Sequence, residues 1–391
     1  MKALEIKKDI FWVGGIDWDL RNFHGYLTQR GSTYNSYLIK DEKLVLVDTV
    51  KYYLFDEMLE RIKKIADPSK IDYVVCNHVE MDHSGSLPRI MEICPEATVV
   101  TSPNGEKGLK FHYDTSGWDI KVVNTGDSLN IGKRDLSFVL TQMVHWPDSM
   151  ATYVPRDRLL IPNDAFGQHI ASEERFDDEI GWDIVRSEAA KYYANIVLPY
   201  GNQVQRALEA VAGLDVDMIA PSHGLIWRRN IDKILELYGK WSANESVDKA
   251  VIVYDTMWGS TGKIAYSLQE AFEEKGIVSR IENLRTCHIS DIMTHVLDSR
   301  YICVGSPTLN NGMLPTVGSF LTYLKGLSPR NRKAMAFGSY GWGGQSIPGI
   351  NEVLSSCGFE MMESLKVQYV PRKERLDEIK EKVKGELTER V

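Results

Sequence analysis

Residues 77–85 read NHVEMDHSG, directly behind the apolar run IDYVVC. Two histidines, a glutamate and an aspartate thus crowd the end of a predicted buried strand. Uncompensated charge at such a place is costly, and a shared metal ion removes that cost for all of them at once. Strand side chains alternate. If the alternation runs briefly past the strand end, His78 and Glu80 face one side and can share one metal. The chain must then turn at DHSG before the predicted helix LPRIMEIC, which aims Asp82 and His83 elsewhere, at a second metal. Other apolar strands close on ligand types too: His145 ends LSFVLTQMVH, Asp164 ends RLLIPND and His223 ends VDMIAPSH. A carboxylate has two oxygens, so Asp164 is the natural bridge between two metals. For the scattered His112, His288 and His295, a solvated or capping role is the expectation.

A second chemistry is written further along. The strand AVIVYD is followed by TMWGST and then a helix, and hydroxyls with backbone N–H groups at such a turn make an anion cradle. This loop holds Thr256, Met257, Trp258, Gly259, Ser260 and Thr261. Two more loops follow sheet strands. One carries Pro307, Thr308, Leu309, Asn310, Asn311 and Gly312; the other carries Ser339, Tyr340, Gly341, Trp342 and Gly343. No GxGxxG and no well-placed Walker lysine is present, which weakens dinucleotide and nucleoside-triphosphate readings. Three such loops at one edge of a parallel sheet suit FMN at a topological switch point. Trp342 stacks on the isoalloxazine or packs within its loop; pattern alone leaves both open.

These sites need two frameworks. Short strands in pairs followed by helices fill residues 1–248, and strand–helix alternation fills 249–391, with the polar segment GKWSANESVDKA between them. NSYLIKDEKLVLVDT predicts a hairpin turning at Lys40–Lys43, and KYYLFDEMLERIKKIA predicts a helix. The closing RKERLDEIKEKVKGELTERV predicts a charged, solvated helix. Net charge is −8, which argues against nucleic-acid binding. It divides unevenly, −10 before residue 249 and +2 after it, a hint that an acidic protein docks on the second domain. Five scattered cysteines without CxxC spacing predict neither a disulfide scaffold nor a zinc knuckle. Apolar runs are strand-sized and the start lacks a signal-peptide core, so no membrane span and a cytoplasmic location are expected.

HVEMDH, HWPDSM, PNDAFGQH and APSHG together resemble the blocks of the flavodiiron proteins (A-type flavoproteins), and the resemblance runs the length of the chain. It implies an N-terminal metallo-β-lactamase-like αββα sandwich followed by a flavodoxin-like doubly wound parallel sheet. Zinc hydrolases of the first fold carry His-x-His-x-Asp-His where this chain has His-x-Glu-x-Asp-His. The extra carboxylate hardens the site toward iron or manganese. The resemblance gives one iron His78, Glu80 and His145, the other Asp82, His83 and His223, and makes Asp164 the bridge. It implies a reductase in which FMN feeds a non-haem diiron site that turns dioxygen to water, or nitric oxide to nitrous oxide. No rubredoxin-like module follows, so an external donor such as rubredoxin or a reduced deazaflavin is expected. A head-to-tail homodimer or dimer of dimers is implied, each flavin serving its partner's metals. His24, His169 and Tyr193 are candidate proton donors or gates, with ordinary packing as the alternative for each. Two rivals remain: a metal-dependent hydrolase with a fused flavodoxin module, and an electron-transfer or sensing module with a structural metal site.

Overall fold

The computed structural model describes residues 2–387. They gather into two compact units. One holds the chain up to Tyr192 together with Tyr200–Gly239; the other holds Tyr193–Pro199 and the chain from Lys240 onward.

The first unit is built on two sheets. A seven-stranded sheet runs in the spatial order Leu4–Lys7, Ile10–Trp12, Tyr37–Lys40, Leu44–Val47, Tyr73–Cys76, Thr98–Thr101, Asp119–Val122. The predicted hairpin is there, with Lys40 opposite Leu44. A five-stranded sheet runs Ser128–Asn130, Asp135–Leu140, Met150–Val154, Leu159–Ile161, Met218–Ile219. Alternation sorts the apolar side chains. Val45, Val47, Val75 and Val100 point inward to meet Phe138, Met150, Val154 and Ile161 of the other sheet. Their strand neighbours Leu46, Val74 and Val99 point outward onto Phe55, Met58 and Ile62 of helix Phe55–Lys63 and Leu87 and Ile90 of helix Leu87–Ile93. Strands buried on both faces need near-continuous apolar runs, as in LVLV and YVVC. Their polar residues are thereby displaced to the strand ends.

The second unit is a parallel sheet in the order Val278–Asn283, Val247–Tyr254, Ser299–Gly305, Lys333–Tyr340, with Glu360–Met361 and Leu365–Gln368 both pairing the last. The order reverses beside the first strand of the unit, which creates the switch point between Val247–Tyr254 and Ser299–Gly305. The terminal helix, Lys373–Glu386, corrects the sequence expectation. It is not simply solvated: Ile379, Val383 and Leu387 are buried against Ala271, Phe272 and their neighbours. Leu376, Ile379, Val383 and Leu387 form a three-four-four stripe that the surrounding charges mask in the sequence. The final residues of that predicted helix, 388–391, lie outside the described part. No helix among the described residues is long and apolar enough to cross a membrane.

Candidate metal centre and flavin pocket

Seven ligand-type side chains converge in the first unit, in two groups. His78, Glu80, His145 and Asp164 form one; Asp82, His83 and His223 form the other. Within each group the ligating atoms all lie within 4.8 Å of one another. The local chain explains the division. Strand Tyr73–Cys76 ends just before His78, and Glu80 is still extended, with φ −55° and ψ 141°, as the residue capping helix Met81–Ser84. His78 and Glu80 therefore share a side, with His78 Nε2 3.3 Å from Glu80 Oε2. The helical turn then swings Asp82 and His83 to the second group. There Asp82 Oδ1 lies 3.4 Å from His83 Nε2, and Asp82 Oδ2 lies 3.2 Å from His223 Nε2.

Asp164 stands between the groups. Its Oδ2 is 3.3 Å from His145 Nε2 and 3.6 Å from His78 Nε2. Its Oδ1 is 2.9 Å from His83 Nε2 and 3.3 Å from His223 Nε2. One oxygen toward each group is the geometry of a bridging carboxylate.

The residues fit metal ions on a further observation. Both carboxylate oxygens of Asp82, both ring nitrogens of His83 and Oδ1 of Asp164 are buried without a well-directed hydrogen bond among the described residues; the histidine–carboxylate approaches given above are ion-pair distances only, and His83 Nδ1 lacks even that. Buried polar atoms in this state are costly unless something else satisfies them. Electrostatics keep the carboxylates in ligand form. Burial pushes Asp164 toward the neutral acid, but His83, His145 and His223 outweigh it and hold the carboxyl well below its usual range. Glu80 is likewise held down against burial by His145, His24 and His78. Burial opposes a proton on His223, yet Asp164 and Asp82 raise it to about 10. In the absence of a metal, then, imidazolium charge compensates the carboxylates; a cation would take over that role by displacing the protons.

Hydrogen bonds behind the ligands set their orientation. The Asp148 carboxylate accepts from Val79 N at 2.7 Å and lies 2.9 Å from His78 Nδ1. His223 Nδ1 lies 2.8 Å from the Thr33 carbonyl. With Nδ1 engaged, Nε2 of both rings faces the cluster. Asp148 escaped the sequence reading although HWPDSM contains it, because an aspartate after proline reads equally well as a turn residue.

The candidate gates separate. His24 reaches the site: its Nε2 is 2.9 Å from Glu80 Oε1, while its side chain is 71% exposed. His169 is a buried wall, 4.8 Å ring to ring from His223. Burial holds it well below its usual pKa, and Ser32 Oγ lies 2.7 Å from its Nδ1. Tyr193 belongs to the second unit, where its ring packs 5.2 Å from that of Trp241. Tyr192 takes the place beside the site, 5.2 Å from His169 and 5.9 Å from His223. Adjacent helical residues point about 100° apart, so only one of the pair can face the cluster.

In the second unit the three loops meet around a cavity of about 580 Å³. Thr256, Met257, Trp258 and Ser260 line it from the first loop, Pro307, Thr308, Asn310 and Asn311 from the second, and Ser339, Tyr340, Gly341 and Trp342 from the third. Five predicted residues shape the loops without lining it. Gly259, at φ +86°, lets the chain enter helix Ser260–Glu274. Thr261 is buried, with its Oγ1 3.1 Å from Ser339 Oγ. Leu309 and Gly312 exchange backbone hydrogen bonds that close the second loop. Gly343 turns the third at φ +95°. Tyr369 and Val370 also line the cavity; they follow strand Leu365–Gln368 and no loop motif marks them. Trp342 is 84% exposed and Trp258 93%, so neither is a core residue. Two aromatic rims over a cradle at a helix N-terminus fit a flat ring system carrying a phosphate.

The family described as ODP family beta lactamase matches residues 33–224, and flavodoxin matches residues 252–382. A protein from Moorella thermoacetica described as nitric oxide reductase is 45% identical over 381 residues, 96% of each chain. The solved rubredoxin oxygen:oxidoreductase of Desulfovibrio gigas superposes with a TM-score of 0.94 at 41% identity, covering 99% of this chain and 100% of the other. The flavodiiron protein of Giardia intestinalis superposes with a TM-score of 0.96 at 33% identity, over 98% and 96%. With a beta-lactamase-like half that gathers two adjoining ligand groups and a flavodoxin half with a three-loop pocket, the chain belongs to the flavodiiron proteins, oxidoreductases that carry FMN and a non-haem diiron centre.

Proposed function

We propose that electrons enter this chain at FMN and pass to two irons, where dioxygen is reduced to water or nitric oxide to nitrous oxide. The observation that carries the reading is Asp164, whose two oxygens each face a different ligand group. His78, Glu80 and His145 would hold one iron, Asp82, His83 and His223 the other, with Asp164 across both. When bound, the irons would supply gas binding and electron transfer. Both reductions also consume protons. His24 Nε2, beside Glu80 Oε1 on an otherwise exposed side chain, is placed to hand a proton inward from solvent while fixing that carboxylate. His169 and Tyr192 pack beside His223 and form part of the wall of the site.

A hydrolase reading requires zinc and activity without reductant; Glu80, where the hydrolases have histidine, and the reductase relatives oppose it. A purely structural metal site would be saturated by protein, whereas seven protein ligands shared by two irons would leave open positions on both. Iron-replete protein is expected to hold about two irons and one FMN per chain and, once reduced, to consume one or both gases under anaerobic stopped-flow. Stoichiometric zinc without iron, or hydrolysis without reductant, overturns the reading.

A rubredoxin-type carrier or a reduced deazaflavin supplies the electrons. The functional assembly is a head-to-tail homodimer, alone or paired into a dimer of dimers, with each flavin serving the partner's metals; the family resemblance supports this. A mixed dimer tests it. One chain carries Asp164→Ala, and the other carries Ser260 and Thr261 substitutions that prevent FMN binding. Transfer across the interface leaves one intact pathway and about half of wild-type activity per dimer. Activity no higher than either parent, with mixed assembly verified, excludes the exchange.

A further inference from the structure

A small chamber lies against the segments that carry His145 and Asp164, walled by Ala151 and Leu160 of the five-stranded sheet, Ala207 and Leu208 of helix Gly201–Val211, and Val144 and Phe166. Val144 directly precedes His145, and Phe166 is two residues past Asp164. The chamber leaves about 20 Å³ in which the centre of a water-sized molecule can move. That is room for one small molecule. Water is a poor occupant, because it needs two to four polar partners. The Tyr238 hydroxyl on this wall already accepts from Phe166 N at 2.7 Å. The Thr141 hydroxyl is the remaining polar side-chain atom, buried and without a hydrogen-bond partner among the described residues.

Thr141 and Ala207 have a second role. They also line an open recess of about 270 Å³ with Gln142, Met143, Gln203 and Arg206. They therefore stand between the two spaces, at the place where a throat would open. On its outer side is a polar recess; on its inner side is an apolar chamber against the segments that carry His145 and Asp164.

We propose that this chamber docks a small apolar diatomic gas, dioxygen or nitric oxide, on its way from the recess to the metal ligands. The inference rests on the gas-reducing reading above. Both gases are weakly hydrated and transfer favourably into an apolar void, whereas ions and water are disfavoured there. Delivery at Val144 and Phe166 brings the gas to the backbone on either side of the two ligands of the first group that belong to the five-stranded sheet's strand ends.

Xenon is the probe. Crystals of the holoprotein under xenon pressure are expected to show an atom in the chamber of the wild type and none in Ala207→Phe, whose ring fills the throat. In anaerobic stopped-flow of the reduced holoprotein, Ala207→Phe is expected to lower the second-order rate constant about fivefold or more, with iron content, FMN content and flavin reduction by dithionite unchanged. Leu208→Phe, on the same helix, replaces it if the first variant does not fold. Thr141→Val, which keeps the shape and removes the hydroxyl, is expected to retain the xenon site. A loss with one gas only assigns the chamber to that gas. No xenon in the wild-type chamber, or a blocked throat with full cofactor content and unchanged rates for both gases, overturns the proposal. A wild-type protein inert to both gases overturns the reductase reading instead, while the xenon experiment still decides whether the chamber binds apolar gas.

Discussion

Asp164→Ala is expected to abolish gas reduction and to leave the flavin spectrum intact. The substitution removes both oxygens that face the two ligand groups, and it leaves His83 and His223 without the carboxylate that lies 2.9 Å and 3.3 Å from them. Loss of a residue that merely orients a ligand costs about 10–100-fold in metal affinity or activity, so loss of the bridge is expected to exceed that range. Iron content should fall below the wild-type value. The flavin absorbance should not change, because the second unit has its own core around Ile252, Phe272, Cys303 and Phe337. Asp164→Asn keeps the shape but not the second anionic oxygen, and is expected to lose activity nearly as fully. Near-normal turnover in Asp164→Ala would remove the bridging role.

Asp148→Ala carries the second large effect. Asp148 touches neither candidate metal position. It fixes the His78 ring from behind and accepts the Val79 amide. Without it, a buried imidazole N–H and a buried backbone N–H lose their acceptor, and the ring is no longer held with Nε2 inward. Metal affinity in competition with a chelator is expected to fall about 10–100-fold. Asp148→Asn, which retains one accepting oxygen, should recover part of it. A structural role alone would lower thermal stability without this ordering of metal affinities. Equal affinity in wild type and Asp148→Ala, with the fold intact by circular dichroism, would show that His78 needs no such support.

Much of the metal centre was legible because its central segment is local. Strand alternation relates His78 to Glu80, and one helical turn separates them from Asp82 and His83; both periodicities are properties of adjacent backbone dihedrals. His145, Asp164 and His223 were legible as ligand types at the ends of apolar runs. Strands buried on both faces force polar residues to their ends, so the burial pattern and the site pattern share one cause. The three flavin loops were legible for a related reason: glycine, hydroxyl and amide residues interrupt apolar strands at regular intervals. Tyr369 and Val370 lack that signature and were missed.

The residues read wrongly or not at all depend on contacts that no local pattern records. Asp148 pairs with a histidine 70 positions away. Tyr192 and Tyr193 are chemically the same in sequence, and only the orientation of helix Trp182–Tyr192 against its neighbours chooses between them. The terminal helix looks solvated until Ile379 and Val383 find the surface of helix Ser260–Glu274. By itself, then, the sequence determined the ligand types, the division of His78 and Glu80 from Asp82 and His83, and the loops of the flavin pocket, because each follows from short-range periodicity and from the burial of apolar strands. The tertiary structure alone decided which side chains support the ligands from behind, and where an apolar chamber remains against the segments of His145 and Asp164. Those outcomes are set by how distant segments pack, and packing is decided by the whole core at once.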